Sequence, residues 1–274
     1  MRFLFLGDVV GRSGRNVVMN TLPDLRRRWK LDFVVVNGEN SAGGFGITEK
    51  ILNDLIDAGA DVITLGNHAF DQRDALIFIN RNDNLLRPLN MPEGTPGRGA
   101  GLFKAPNGAE ILVINALGRV FMSEQDCPFR AIDREVTTCK LGDKADAIFV
   151  DFHAEATSEK QALGTFLDGR VSAIVGTHTH SPTCDHRILP YGTAYQSDVG
   201  MCGDYNSVLG MHSSEPVNRF ITRIPRERFE PALGKATLCG LAIEIGDKDG
   251  LAYKVGLVRI GGVLSEEMPE FWEP

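Results

Sequence analysis

The chain has 274 residues, 43% of them hydrophobic and 24% charged, with a net charge of −7. This is globular usage, and the length suffices to bury a large core without a disulfide or metal staple. It excludes a disordered chain and any broad electrostatic footprint for duplex DNA or anionic membranes.

In chain order, MRFLFLGDVV carries one Arg and a short apolar run ending at Asp8, so it reads as a first strand and not as a signal peptide. A helix is expected over residues 15–30. DFVVVN (32–37) predicts a strand. Residues 48–58 predict a helix with Ile51, Leu52, Leu55 and Ile56 on one face and Thr48 as N-cap. DVITL (61–65) predicts a strand, followed by a helix near 73–80. The Pro/Gly-rich stretch 88–106 reads as a surface loop in preference to an interdomain hinge. Residues 111–115 and 147–152 are buried-strand candidates. Ser158 and Gln161 have the spacing of a capping box opening a helix to 167, and VSAIV (171–175) predicts another strand. After about residue 185 the helical periodicity fades. Short β-rich stretches near 219–223, 236–245 and 252–259 suggest antiparallel strands. The alternation predicts an α/β fold with a largely parallel core, and one domain over 1–274. No apolar run approaches the ~18 residues of a membrane span. The five Cys include no CxxC pair, which suggests neither a disulfide framework nor a zinc ribbon. The expected location is the cytoplasm.

Polar residues interrupt the apolar runs at their ends. FLFLGD ends at Asp8, VVVNGEN at Glu39 and Asn40, VITLGNH at Asn67 and His68, IFVDFHAE at His153, and SAIVGTHTH at His178 and His180. Parallel α/β sheets bind ligands at the carboxyl ends of their strands. Each residue alone has a plain structural reading, as turn, cap or core histidine. Together they agree in type, order and position. If extended, His178-x-His180 would put both rings on one face. His186 and His212 lack such a setting and read as surface or structural residues.

Two carboxylates, two amides and three imidazoles without a thiolate suit Mn, Fe or Zn. Seven candidates exceed what one catalytic ion keeps while leaving a site open. Two ions sharing one carboxylate account for the excess, and such a pair clamps an in-line displacement at phosphorus or a carbonyl.

GD (7–8), GEN (38–40), GNH (66–68), DFHAE (151–155) and GTHTH (176–180) resemble the motifs of the calcineurin-like metallophosphoesterases. GDVVG (7–11), NGENSAGGFGIT (37–48), FHAEATSEK (152–160) and SDVGMCG (197–203) resemble the YmdB-like bacterial branch of that superfamily. The resemblance runs from Met1 to about Ala242. It implies a β-sandwich flanked by helices, in four layers α/β/β/α. It implies that Asp8, Glu39, Asn40 and His180 hold one metal, that Glu39 bridges, and that Asn67, His153 and His178 complete the second. His68 would be the general acid. The implied activity is phosphodiester hydrolysis, notably of 2′,3′-cyclic nucleotides, with iron or manganese. The superfamily's usual Asp-x-His is Asp8-Val9-Val10 here, and its bridging Asp is Glu39; both departures are shared with the YmdB-like branch.

The expected chemistry follows from charge. A bridging water loses a proton readily beside two cations and attacks phosphorus in line with the leaving oxygen. His68 supplies the proton that an alkoxide needs. The expected partner is a small phosphodiester such as a cyclic nucleotide, with no duplex DNA and no membrane; self-association into a homo-oligomer is left open. The rivals are a phosphomonoesterase on the same ions and a metal-dependent nucleotide sensor without turnover. A monoester would want extra cations, for which Arg12, Arg15 and Arg119 are the candidates. Phe45, Phe70 or Phe121 could stack on a base, against a default of core packing.

Overall fold

The computed structural model describes residues 1–272. In chain order the elements are β1 (Arg2–Leu6), β2 (Asp8–Val9), α1 (Gly11–Arg28), β3 (Phe33–Asn37), α2 (Glu49–Asp57), β4 (Val62–Thr64), α3 (Ala75–Phe78) and β5 (Leu85–Leu86). Then come β6 (Ala100–Lys104), β7 (Glu110–Leu117), α4 (Pro128–Thr138), β8 (Ala147–His153), α5 (Thr157–Leu167) and β9 (Ala173–Thr177). The last third holds β10 (Arg187–Ile188), β11 (Ala194–Gln196), β12 (Met201–Cys202), α6 (Ser214–Thr222), β13 (Thr237–Ile245) and β14 (Ala252–Gly261).

Two six-stranded sheets carry the fold, in the orders β14-β13-β1-β3-β4-β5 and β10-β11-β9-β8-β7-β6. β1, β3, β4 and β5 run parallel, as do β7, β8, β9 and β11; β13, β14, β6 and β10 pair antiparallel. The near-continuous apolar strands follow from burial on both faces. In β1, Phe3 and Phe5 turn into the core between the sheets, while Leu4 and Leu6 turn outward beneath α1 and α2. In β8, Phe149 faces the inner core, while Ile148, Val150 and Phe152 pack outward with Ile132 of α4 and Leu163 of α5. Phe149 joins the two sheets, with ring centroids 4.8 Å from Phe3 and 4.9 Å from Phe5. The result is the expected α/β/β/α order of layers.

Several local expectations change. α1 begins at Gly11, four residues before the expected start at Arg15. Thr48 caps α2 as expected, its hydroxyl accepting from the Ile51 N–H at 3.3 Å. Ser158 is not a cap: α5 starts at Thr157 behind Ala156, and no side chain caps it. The stretch 219–223 is not a strand but lies in and just beyond α6, whose Phe220 and Ile221 are 85% and 77% exposed. The stretch 88–106 is not loop throughout. Its end forms β6 on β7, and Asn90 donates to the carbonyls of Leu117 and Asp126. α4, opening on Pro128 at its N-terminus, is an element that the sequence patterning does not predict.

Candidate metal centre and active site

The carboxyl ends of five parallel strands, three from one sheet and two from the other, meet at one edge. Asp8 follows β1, Glu39 and Asn40 follow β3, and Asn67 and His68 follow β4. His153 ends β8, and His178 and His180 follow β9. All eight residues singled out by the sequence are therefore brought to one place.

Their atoms interlock. His153 Nε2 lies 3.0 Å from Glu39 Oε1, 2.9 Å from Asn67 Oδ1 and 3.0 Å from His178 Nδ1. His180 Nε2 lies 3.2 Å from Asn40 Oδ1 and 3.8 Å from Asp8 Oδ1. Two groups, Glu39–His153–His178 and Asp8–Glu39–His180, each bring one donor atom per residue within 4.8 Å of one another. Glu39 is common to both. Gly66 makes the close approach possible, because a Cβ there would collide with Glu39 Oε2 and the His153 ring.

This donor set fits two metal ions. Asp8 Oδ1 is buried without a hydrogen-bond partner, a costly state for a carboxylate oxygen unless a cation answers it. The ring nitrogens facing away from the cluster are occupied. His180 Nδ1 donates to the Leu209 carbonyl at 2.9 Å, which leaves the Nε2 lone pair toward Asn40 and Asp8. His153 Nδ1 donates to Thr177 Oγ1 at 2.9 Å, and that hydroxyl donates to Asp151 Oδ1 at 2.7 Å. Such outer hydrogen bonds fix the tautomer a metal needs. Asp151 also accepts from Asn37 Nδ2 at 2.9 Å and Thr64 Oγ1 at 2.5 Å, so one buried carboxylate ties four strands together beneath the cluster.

Electrostatics mark the same atoms. Burial pushes the Asp8 carboxyl up to about 6 against the pull of His180 and His153. Burial would also raise Glu39, but its contact with His153 holds it down at about 2. Burial would lower His153, yet Glu39 raises it to about 9. Burial and the neighbouring His153 push His178 down to about 3. Glu39 and His153 thus form an ion pair with the proton on His153, and a metal cation answers the same need as that proton.

The His178-x-His180 segment is not extended. Both residues sit in the left-handed region, with φ of 96° and 62°. Such strain persists only where surroundings impose it. Here Asp198 imposes it: its Oδ2 accepts from the Thr179 N–H at 3.0 Å and from Lys160 Nζ at 2.8 Å, with both side chains buried. Asp198 and Lys160 lie in the SDVG and TSEK segments, where the sequence alone assigns them no role; nothing in their local patterning marks a pair 38 residues apart.

A cavity of about 480 Å³ opens over the cluster. Glu39, Asn40, His68, His178 and His180 form its floor, and Phe45, Met211, Phe220 and Phe229 line its apolar side. His68 donates from its backbone N–H to Glu39 Oε2 at 3.1 Å, and its Nδ1 lies 2.8 Å from Asp71 Oδ2. Phe45 meets the His68 ring edge-on at 5.1 Å. Phe70 instead packs on the core and Phe121 is 89% exposed, neither lining this cavity. Glu155 also lines it, with Oε2 3.3 Å from His178 Nε2. Arg12 lines a separate cavity, and neither Arg15 nor Arg119 lines this one. His186 and His212 stand outside both donor groups.

Residues 4–258 match the family described as YmdB-like protein. The chain is 50% identical over 260 residues to a 2′,3′-cyclic-nucleotide 2′-phosphodiesterase of Bacillus subtilis, covering 95% of this chain and 97% of that one. It superposes with a TM-score of 0.88 on the crystal structure of a hypothetical protein from Thermus thermophilus, 41% identical, covering 96% of this chain and 100% of that one. A novel phosphatase of Mycoplasma pneumoniae gives a TM-score of 0.87 at 36% identity, covering 99% and 95% of the two chains.

Proposed function

This chain belongs to the YmdB-like protein family, and from that premise we propose that it is a metal-dependent phosphodiesterase acting on 2′,3′-cyclic nucleotides, built as one domain over residues 1–274. The observation that carries the reading is Glu39, shared by two donor groups on the floor of a cavity that His68 also lines. Asp8, Glu39, Asn40 and His180 would hold one ion, and Glu39, Asn67, His153 and His178 the other. Mixed nitrogen and oxygen donors without thiolate suit manganese, iron or zinc, and the family resemblance favours iron or manganese among them. When bound, such a pair supplies Lewis-acid stabilisation of the phosphoryl oxygens and a water acidic enough to attack phosphorus.

The chain's own residues do the rest. His68 is the general acid. Asp71 accepts from its Nδ1, which leaves Nε2 to carry the proton required by the departing ribose oxygen. The Asp151–Thr177 pair holds His153 in one tautomer, and Leu209 does so for His180. Asp198 and Lys160 hold the backbone that presents His178 and His180. Phe45, Phe220 and Phe229 offer apolar faces to a nucleobase.

The substrate reading is a small cyclic phosphodiester, with cleavage of the 2′ ester leaving a 3′-monophosphate. No helix among the described residues is long and apolar enough to cross a membrane. A net charge of −7 argues against duplex DNA or an anionic membrane as partner, and five unpaired cysteines fit a cytoplasmic protein. The testing experiment is turnover of 2′,3′-cyclic AMP by protein reconstituted with Mn²⁺ or iron, followed by chromatography of the products. Formation of 3′-AMP supports the reading; binding without turnover converts it into a nucleotide sensor.

A further inference from the structure

We propose that Glu155 is a specificity-determining residue, a fixed negative charge on the cavity wall that rejects phosphomonoesters and expels the reaction's own monoester product. The inference rests on the phosphodiesterase reading above and names how that site chooses its substrate.

The cations of the cavity come first. Among the described residues, Arg219 is the one Arg or Lys that lines it. That guanidinium is already committed. Its Nε donates to Glu215 Oε1 at 2.6 Å, its Nη2 donates to the Glu227 carbonyl at 2.7 Å, and it lies 3.9 Å over the Phe229 ring. His68 faces Asp71. Lys160 is buried beneath the floor against Asp198. No uncommitted side-chain cation among the described residues of the wall is left for the second charge of a monoester.

Glu155 adds the opposite sign. It follows β8 by two residues, its side chain is 48% exposed, and it lines the cavity. It stands outside both candidate metal groups. Its Oε2 reaches His178 Nε2 at 3.3 Å, whereas His178 Nδ1 is the nitrogen turned toward His153. The carboxylate therefore borders the phosphate-binding floor without belonging to it.

The reaction changes the charge of its ligand. The water oxygen bonds to phosphorus, the 2′ oxygen departs and takes a proton, and the 3′-monophosphate that results has a second acidic proton with a pKa of about 6. At neutral pH the cyclic substrate carries one negative charge and the product close to two. A carboxylate on the wall penalises a dianion about twice as much as a monoanion, because the repulsion scales with the product of the charges. Like-charge opposition at an effective dielectric near 20 is worth about tenfold in affinity.

The test uses metal-loaded wild type, Glu155→Gln and Glu155→Lys. The readouts are the Ki of 3′-AMP against bis(p-nitrophenyl) phosphate hydrolysis, the Kd of 3′-AMP by calorimetry, and metal content by elemental analysis. The proposal expects 3′-AMP to bind about tenfold tighter to Glu155→Gln and tighter still to Glu155→Lys, with wild-type metal content. Binding within about twofold of wild type in both variants overturns it. Weaker 3′-AMP binding with loss of metal also overturns it and makes Glu155 a prop for His178. If the wild type turns over no cyclic nucleotide, the phosphodiesterase reading fails, while the calorimetric arm still decides the role of Glu155.

Discussion

His153 and His178 face each other nitrogen to nitrogen: Nε2 of the first lies 3.0 Å from Nδ1 of the second, their rings 4.8 Å apart at 70°. At that distance the two nitrogens need a positive charge between or beside them, either the proton that Glu39 holds on His153 or a cation. Glu39 Oε1 lies 3.0 Å from the same His153 nitrogen, which places a carboxylate at the same point. A metal ion satisfies all three groups at once. Reconstituted protein is therefore expected to hold two first-row ions per chain by elemental analysis. Glu39→Ala should lose both, because Glu39 belongs to both groups, while His180→Ala should lose chiefly one. Chelation should lower the melting temperature, since an ion present at about 100 times its Kd stabilises the fold by about 2.7 kcal/mol. One ion per chain after full reconstitution would rule out the dinuclear assignment.

The His68 ring pairs with Asp71 and meets the edge of Phe45, and it stands outside both donor groups. His68→Gln is expected to keep both ions and to lower kcat by about 10²–10⁴ on 2′,3′-cyclic AMP. The defect should shrink on bis(p-nitrophenyl) phosphate, whose leaving group needs no proton. Equal losses on both substrates, or loss of metal, would remove the general-acid role.

Asp185 gives a pH prediction away from the metal cluster. Burial raises its carboxyl, but hydrogen bonds from the Ser197 and Thr183 hydroxyls, both 2.6 Å, and from the Ser197 N–H at 3.1 Å hold it below the usual carboxylate range. Arg187 Nη1 lies 3.6 Å away on the same side. A depressed carboxylate contributes stability above its unfolded value, near 3.9, and that contribution is lost as pH falls through the folded value. Melting temperature measured below about pH 4 should fall less steeply in Asp185→Asn than in wild type. Parallel acid limbs would show that Asp185 contributes nothing to acid stability.

The sequence displays some of this architecture openly, and the reasons are physical. Strands such as Phe33–Asn37 and Ala147–His153 are buried on both faces, so their apolar runs stand out, and the polar residues ending them mark the sheet edge. α6 is hidden for the converse reason. Its Phe220 and Ile221 face outward, so no core-facing helical stripe forms and RFITR imitates a strand. Spacing likewise gives no warning that His178 and His180 adopt positive φ, because Asp198, eighteen residues beyond His180, imposes that turn. The Asp151 hub joins residues 37, 64, 151 and 177, each an ordinary polar residue within its own strand. Only the packing of two sheets brings them together.

That hub yields the most discriminating variant. Asp151 accepts three hydrogen bonds, two at Oδ2 from Asn37 and Thr64 and one at Oδ1 from Thr177. Asp151→Asn keeps the shape but replaces one acceptor with a donor. An NH₂ turned toward Asn37 would meet another amide donor. The NH₂ therefore turns toward Thr177, whose hydroxyl can rotate and accept. Thr177 must then give its own proton to His153 Nδ1, only 2.9 Å away. His153 is forced into the Nε2–H tautomer, with a hydrogen pointing at Glu39 and Asn67 where a lone pair is needed. Outer hydrogen bonds of this kind are worth about 10–100-fold in metal affinity. Titration of the apoprotein with Mn²⁺ should show that loss at the ion held by His153, with the Asp8–His180 ion retained. The far-ultraviolet circular dichroism should match wild type. Thr177→Val removes the relay without supplying a competing donor, so its loss of affinity should be smaller than that of Asp151→Asn. Wild-type metal affinity in Asp151→Asn would show that His153 takes its tautomer from the cluster and not from the hub.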